Sequence, residues 1–200
     1  MNLPNKLTIL RIIMIPIFIT LFFVEFPWHR VVAMVVFCAA SVTDFLDGFI
    51  ARKQGLVTHL GKFLDPIADK MLVACALVAV CVTPPVVGAL DGEITQNVFY
   101  ILVAVFAMII LSRELMISGF RTVAADKGMV LAADMIGKVK TVSQMLAIIL
   151  LLPVVEYYAV DPPAAEIVYY VGFALLAAAT LLTIVSAVNY LIKNRKVLEG

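Results

Sequence analysis

Residues 44–69 read DFLDGFIARKQGLVTHLGKFLDPIAD, which places four aspartates within strongly apolar sequence. An α-helix turns about 100° per residue, so one helical face would carry Asp44, Asp47, Gly48, Ala51 and Arg52. Gly61, Asp65 and Asp69 follow at i, i+4 and i+8, which predicts a second stripe on the next helix. A tight turn between the two helices would bring these stripes face to face, with four carboxylates around one point.

Four carboxylates in an apolar setting need compensating charge, because unpaired buried anions repel one another and are costly to desolvate. Divalent cations are the simplest compensation, and clustered carboxylates suit hard ions such as Mg²⁺ or Mn²⁺. The alternative is a pair of helices joined by salt bridges to nearby Arg and Lys. That alternative does not account for the small residues Gly48 and Ala51 beside the aspartates.

The composition is that of an integral membrane protein rather than of a soluble domain. The chain has 200 residues, of which 64% are hydrophobic and 14% charged, and its mean hydropathy is +1.08. No strand alternation or long-period repeat is present, so we expect one all-α domain over residues 1–200. After a short interfacial N-terminal segment at 1–6, the apolar runs predict six transmembrane helices, at 7–25, 31–53, 60–83, 95–121, 138–155 and 165–192. The stretches Thr83-Pro84-Pro85 and Asp161-Pro162-Pro163 are expected to break helices and form loops.

The basic residues predict the orientation of these spans. With six spans, 14 of the 15 Lys and Arg fall on one side and only Arg30 on the other. The positive-inside bias then puts both termini and the four aspartates on the cytoplasmic side. The net charge of +1 gives no indication of a nucleic-acid partner, and we expect none.

The motif D-x2-D-G-x2-A-R-x8-G-x3-D-x3-D in residues 44–69 resembles the signature of the CDP-alcohol phosphotransferases. Three further stretches resemble the bacterial phosphatidylglycerophosphate synthases within that family: Pro4-Asn5-x2-Thr8-x2-Arg11, Arg113-Glu114 with Arg121, and Gly137-Lys138-x-Lys140-Thr141-x2-Gln144. The resemblance implies an enzyme of the bacterial cytoplasmic membrane. It would transfer the phosphatidyl group of CDP-diacylglycerol to sn-glycerol 3-phosphate and release CMP. The enzyme would be a homodimer in contact with membrane lipids.

The resemblance also implies roles for individual residues. Asp44, Asp47 and Asp65 would bind two metal ions, and Asp69 would lie near the metals and act as the catalytic base. Small side chains at Gly48 and Ala51 let a nucleotide approach closely, and a guanidinium such as that of Arg52 can fork onto a diphosphate. The remaining candidates for CDP-diacylglycerol contacts are Asn5, Thr8, Thr58 and Gly61.

The acceptor's phosphate needs cations of its own. Arg113 and Arg121 lie near one end of the fourth span, about 80° apart around the helix. Lys138 shares a stripe with Thr141 and Gln144, whereas Lys140 lies about 160° around the helix from Lys138. All four are candidates for binding glycerol 3-phosphate, with Lys138 favoured over Lys140. The alternative is that they anchor helix ends at lipid headgroups. Glu114 could pair with Arg52 or Lys138.

Two other functions are compatible with the sequence. The same chemistry with another acceptor would make the chain a cardiolipin synthase or a phosphatidylserine or inositol-phosphate relative. Acidic residues within spans can also line the ion path of a cation transporter. Against a transporter, all four aspartates lie toward one end of spans 2 and 3, with no acidic pair in the opposite half.

Overall fold

The protein is all-helical throughout the part of the chain that the structure describes. A computed structural model describes the backbone of residues 3–54, 59–86, 93–126 and 135–194, and the side chains of 6–43, 67–86, 94–125 and 135–194. The helices are α1 (Leu3–Phe23), α2 (His29–Gln54), α3 (His59–Val82), α4 (Glu93–Asp126), α5 (Met135–Leu151), α6 (Val154–Tyr158) and α7 (Pro162–Lys193).

Among the described residues, three helices are long and apolar enough to cross a membrane. Their apolar segments are Lys6–Phe23, Ile94–Ala125 and Pro162–Lys193, with mean hydropathies of 2.1, 2.2 and 2.3. His29–Thr43 is a shorter apolar stretch. Large apolar side chains lie exposed on their outer faces, such as Ile101 and Leu181. An apolar surface of this extent is typical of a protein solvated by lipid, so the expected class of membrane protein is confirmed.

Two predicted helix ends differ from the structure. The first span was expected to begin at residue 7, after the interfacial segment at 1–6, but α1 already begins at Leu3. Pro4 is compatible with the first turn of a helix, where a backbone N–H has no helical partner to lose. The fifth span was predicted to run to residue 155, but α5 ends at Leu151, and Pro153 precedes the short helix α6. Proline interrupts the helix there because it lacks the N–H donor and its ring crowds the preceding turn.

The two proline pairs act differently from one another. α3 ends at Val82, directly before Thr83-Pro84-Pro85, as predicted. Pro162 and Pro163, expected in a loop, instead form the first turn of α7, where the fixed φ of proline suits a helix start. Asp161 is the N-cap of α7, and its carboxylate accepts a hydrogen bond from the Ala164 backbone N–H at 3.2 Å.

The core lies between the helices, and it fixes the positions of α3, α4, α5 and α7. Phe18 and Phe37 join α1 to α2, while Leu77, Ile110 and Leu176 are fully buried on α3, α4 and α7. α5 packs most extensively on α7, and α4 packs on both α3 and α7. At Gly172 a Cβ would lie 2.9 Å from Leu151, so only glycine allows α5 and α7 to come this close.

A polar cluster holds the N-terminal end of α2, the end opposite its aspartates. The Glu156 carboxylate on α6 accepts hydrogen bonds from the backbone N–H groups of Arg30 at 2.9 Å and Val31 at 3.0 Å. The His29 Nε2 lies 3.7 Å from the same carboxylate, and the Arg30 guanidinium lies 5.2 Å from the Phe22 ring centroid. Glu156 therefore caps a helix that precedes it by more than a hundred residues.

Candidate active site

The aspartate motif lies on the two helices predicted for it. Asp44 and Asp47 are in the C-terminal half of α2, and Asp65 and Asp69 are in the N-terminal half of α3. The side chains of 44–66 and of Asn5 lie outside the described residues, as does Thr58 entirely. The predicted convergence of the four carboxylates, and the positions of Gly48, Ala51, Arg52 and Gly61 toward a nucleotide, remain predictions.

Asp69 lines a cavity of about 250 Å³ enclosed by α3, α4 and α5. Asp69 is exposed as a residue and lies on the wall of this cavity. Glu114, Lys140, Lys70 and Arg11 all lie close enough to interact electrostatically with Asp69. We call this space the aspartate cavity. Its other lining residues are Lys70, Val73, Ala74, Leu111, Glu114, Leu115, Thr141, Gln144 and Met145.

A second cavity, of about 230 Å³, lies between α4, α5 and α7 and is strongly basic. Three of the four predicted acceptor-binding cations line it, namely Arg113, Arg121 and Lys138. We call this space the basic pocket. The rest of its lining is Glu114, Gly137, Thr141, Ser186 and Tyr190. Three cations around one cavity suit an anion of more than one negative charge, such as a phosphate monoester.

The aspartate cavity and the basic pocket share two wall residues, Glu114 and Thr141. The two spaces are therefore neighbours, with Glu114 and Thr141 in the wall of each. The cations of the basic pocket thus lie on one side of these two residues, and the cavity that Asp69 lines lies on the other.

Both arginines of the basic pocket are held by α7. The Arg113 Nη2 donates a hydrogen bond to the Ser186 Oγ at 2.7 Å. The Arg121 Nε donates to the Tyr190 hydroxyl at 3.1 Å, and the Arg121 guanidinium lies 5.5 Å from the centroid of the same ring. Neither Ser186 nor Tyr190 was predicted from the sequence. Their i, i+4 spacing on a largely apolar helix is the signal that would have found them.

Lys140 differs from the other three cations. It is 1% exposed, and its ammonium forms an ion pair with the Glu114 carboxylate. Neither partner suggested for Glu114, Arg52 or Lys138, is the one that the structure gives it. The suggestion that Lys140 anchors a helix end at lipid headgroups is also wrong, because the side chain is buried inside the helix bundle. Glu114 lines both cavities, so the ion pair with Lys140 holds in place a side chain that both cavities share.

Two polar residues of α1 are buried close to this region. Thr8 is 1% exposed and Arg11 is fully buried. Thr8 was predicted to contact the nucleotide, whereas Arg11 received no role although it belongs to the same motif. The signal for Arg11 was available, since an arginine within an apolar span is costly unless it serves a partner or a ligand.

The chain belongs to the CDP-alcohol phosphatidyltransferase family, whose model matches residues 1–188. Among curated proteins it is similar to the CDP-diacylglycerol–glycerol-3-phosphate 3-phosphatidyltransferase of Bacillus subtilis (strain 168). The two are 37% identical over 99% of this chain and 97% of the relative. Proteins of the same name from Salmonella paratyphi A and Shigella flexneri serotype 5b are 37% and 38% identical, each over 95% of this chain and 93% of the relative.

Proposed function

We propose that this protein transfers a phosphatidyl group from CDP-diacylglycerol to sn-glycerol 3-phosphate, giving phosphatidylglycerophosphate and CMP. One observation carries the choice of acceptor: the basic pocket shares Glu114 and Thr141 with the cavity that Asp69 lines. The family membership and the names of the relatives support the same reaction.

In the proposed reaction the acceptor's phosphate dianion lies in the basic pocket, held by Arg113, Arg121 and Lys138. Its free hydroxyl then extends into the aspartate cavity. The hydroxyl oxygen attacks the phosphorus that bears the diacylglycerol, the bond from that phosphorus to the bridging oxygen breaks, and CMP leaves. Asp69 accepts the hydroxyl proton as general base. Lys140, predicted as a fourth acceptor ligand, acts here by holding Glu114 in place.

We propose Mg²⁺ or Mn²⁺ as the cofactor, in a two-metal site held by Asp44, Asp47, Asp65 and Asp69. Carboxylate oxygens are the ligands that these hard ions prefer, and the position of Asp69 on a cavity wall is compatible with this role. No cluster of three or more potential metal ligands occurs among the described side chains, which include Asp69 but not the other three aspartates. When bound, the metals would neutralise diphosphate charge and lower the pKa of the attacking hydroxyl.

The nucleotide-lipid would bind on the side of α1, α2 and α3. We propose that its cytidine diphosphate head contacts Asn5, Thr8 and Thr58, passes the small residues Gly48, Ala51 and Gly61, and pairs with Arg52. Its acyl chains would stay in the bilayer beside these helices. Consistent with this, an apolar groove of about 230 Å³ runs between α1 and α3, lined by residues such as Phe18, Phe22 and Val78.

We further propose that the whole chain, 1–200, is one catalytic domain with six transmembrane helices, α1 to α5 and α7. Both termini and the active site would face the cytoplasm of a bacterial cell, because the basic residues concentrate on that side. The functional unit would be a homodimer in the cytoplasmic membrane.

An acceptor screen tests the proposed function. Purified protein in detergent, supplied with CDP-diacylglycerol and Mg²⁺, is offered glycerol 3-phosphate, phosphatidylglycerol, serine or an inositol phosphate, and CMP release is followed. We expect rapid CMP release when the acceptor is glycerol 3-phosphate and not when it is any of the other three. If phosphatidylglycerol is consumed and glycerol 3-phosphate is inert, the protein is a cardiolipin synthase. If no acceptor releases CMP, the enzyme assignment fails and the transporter alternative is favoured.

A further inference from the structure

Two hydroxyl groups on α7 hold the arginines of the basic pocket. Ser186 and Tyr190 are one helical turn apart, 1% and 5% exposed, and face α4. Arg113 and Arg121 each donate one hydrogen bond to this pair. One face of α7 therefore fixes both guanidinium groups.

These contacts differ from those of the other hydroxyl groups on the same helix. Thr180 and Thr183 donate to backbone carbonyls of their own helix, those of Leu176 at 2.8 Å and Ala179 at 2.6 Å. Such bonds are the ordinary way for a buried hydroxyl to be satisfied within a helix. Ser186 and Tyr190 instead accept from charged side chains of α4, so their hydroxyl groups link two helices at the pocket.

The atom that Arg121 uses in its bond to Tyr190 leaves the end of its guanidinium available to an anion, whereas Arg113 bonds to Ser186 through one of its Nη groups. A guanidinium has five N–H donors, and its two Nη groups can grip two oxygens of one phosphate. Tyr190 engages Arg121 through Nε, so this bond uses neither Nη group. The Tyr190 ring lies beneath the Arg121 guanidinium and is itself supported by Phe120, with ring centroids 5.9 Å apart.

We propose that Ser186 and Tyr190 are positioning residues, which orient Arg113 and Arg121 for the phosphate of the acceptor. This inference rests on the proposed function. A long arginine side chain loses rotamer freedom when it binds a ligand, unless the protein already holds it. Prior restraint by α7 therefore strengthens acceptor binding. It does not act on the nucleotide-lipid, which the other helices bind.

The test is steady-state kinetics of purified full-length Tyr190→Phe and Ser186→Ala, with CMP release followed while each substrate is varied in turn. Tyr190→Phe keeps the ring and its packing and removes only the hydroxyl. We expect the KM for glycerol 3-phosphate to rise about three- to tenfold, the size of the net contribution of one typical hydrogen bond. The kcat and the KM for CDP-diacylglycerol should stay within about twofold of wild type.

Matched controls come from the same two helices. Tyr169 is also buried on α7, and its hydroxyl has no hydrogen-bond partner among the described residues, so Tyr169→Phe should leave both KM values unchanged. Ser118 on α4 donates only to the Glu114 backbone carbonyl, and Ser118→Ala is the control for Ser186→Ala. Equal effects in a control and its matched test variant would overturn the proposal.

A double variant distinguishes a role of Tyr190 in positioning Arg121 from a general destabilisation of the fold. If Tyr190 acts through Arg121, adding Tyr190→Phe to Arg121→Ala should not raise the KM for glycerol 3-phosphate further. A second, additive rise would overturn the proposal, as would an unchanged KM in Tyr190→Phe alone or parallel losses for both substrates. Failure of the proposed function is distinguishable from these results, because wild-type protein would then not use glycerol 3-phosphate at all.

Discussion

Two polar clusters in this protein contain similar residues and use them differently. At the N-terminal end of α2, the Glu156 carboxylate accepts from two backbone N–H groups beside His29, and Arg30 lies over Phe22. At the other cluster, Arg113 and Arg121 each donate to a hydroxyl of α7, and together with Lys138 they line a cavity of about 230 Å³.

The difference lies in what the charged groups satisfy. The Glu156 carboxylate accepts hydrogen bonds from backbone N–H groups at a helix end, which have no partner within the helix, so that cluster serves the fold. The basic pocket gathers three cations around open space, and Glu114, which also lines the pocket, is paired with Lys140. In the proposed function these cations bind a ligand, so one cluster serves the fold and the other serves binding.

The largest effect is expected at the proposed metal ligands. Asp44→Asn or Asp65→Asn should reduce turnover to the detection limit, because each removes a ligand charge while keeping the side chain's shape. Removing divalent ions with a chelator should do the same to wild type, and adding Mg²⁺ or Mn²⁺ should restore activity. CMP release measures the loss, and gel filtration in detergent checks that the variants fold. Rates like those of wild type in either variant would exclude the assigned ligand.

Asp69→Asn should lower kcat about 10²- to 10⁴-fold, the contribution typical of a general base. Binding of CDP-diacylglycerol should persist, because the proposed role of Asp69 concerns chiefly the acceptor's hydroxyl. Equilibrium binding of the nucleotide-lipid to the variant separates the two roles. Loss of that binding in parallel with turnover would make Asp69 mainly a metal ligand.

Arg121→Ala should raise the KM for glycerol 3-phosphate about ten- to a hundredfold, the cost of one charge-assisted contact to a dianion. The KM for CDP-diacylglycerol should change little. Kinetics with each substrate varied in turn give both values. Equal losses for the two substrates would place Arg121 at the reacting diphosphate of CDP-diacylglycerol, outside the proposed acceptor site.

Glu156→Ala should have the smallest effect on catalysis and a clear effect on stability. The variant leaves two backbone N–H groups of α2 without their acceptor, at a cost of about 1–3 kcal/mol in the free energy of unfolding. Thermal unfolding in detergent should therefore begin at a lower temperature, with both KM values unchanged. A selective rise in the KM for glycerol 3-phosphate would break the division between the two clusters.

Much of the fold could be predicted because lipid imposes simple rules on sequence. A helix that crosses a bilayer needs about 20 apolar residues, so the long runs predicted α1, α4 and α7 closely. The breaks were harder to place, because proline can end a helix or begin one. Pro84 follows the end of α3 and Pro162 starts α7, while Pro153 separates α6 from α5.

The positions of site residues were predictable where the spacing along one helix determines which residues share a face. The stripe that joins Lys138 to Thr141 predicted that these residues share a face, and both line the basic pocket. Contacts between helices were not predictable in this way. The pairing of Glu114 with Lys140, and the bonds from Arg113 and Arg121 to α7, depend on how α4, α5 and α7 pack, which periodicity within one helix does not determine.

The central claim is that the acceptor's phosphate binds among Arg113, Arg121 and Lys138, with its hydroxyl directed toward Asp69. The most direct measurement is an experimental structure of the purified protein with glycerol 3-phosphate and a divalent metal. We predict phosphate oxygens within hydrogen-bond distance of all three cations, and the free primary hydroxyl in the aspartate cavity. A phosphate bound elsewhere, with the basic pocket filled by an acyl chain or a lipid headgroup, would contradict the account.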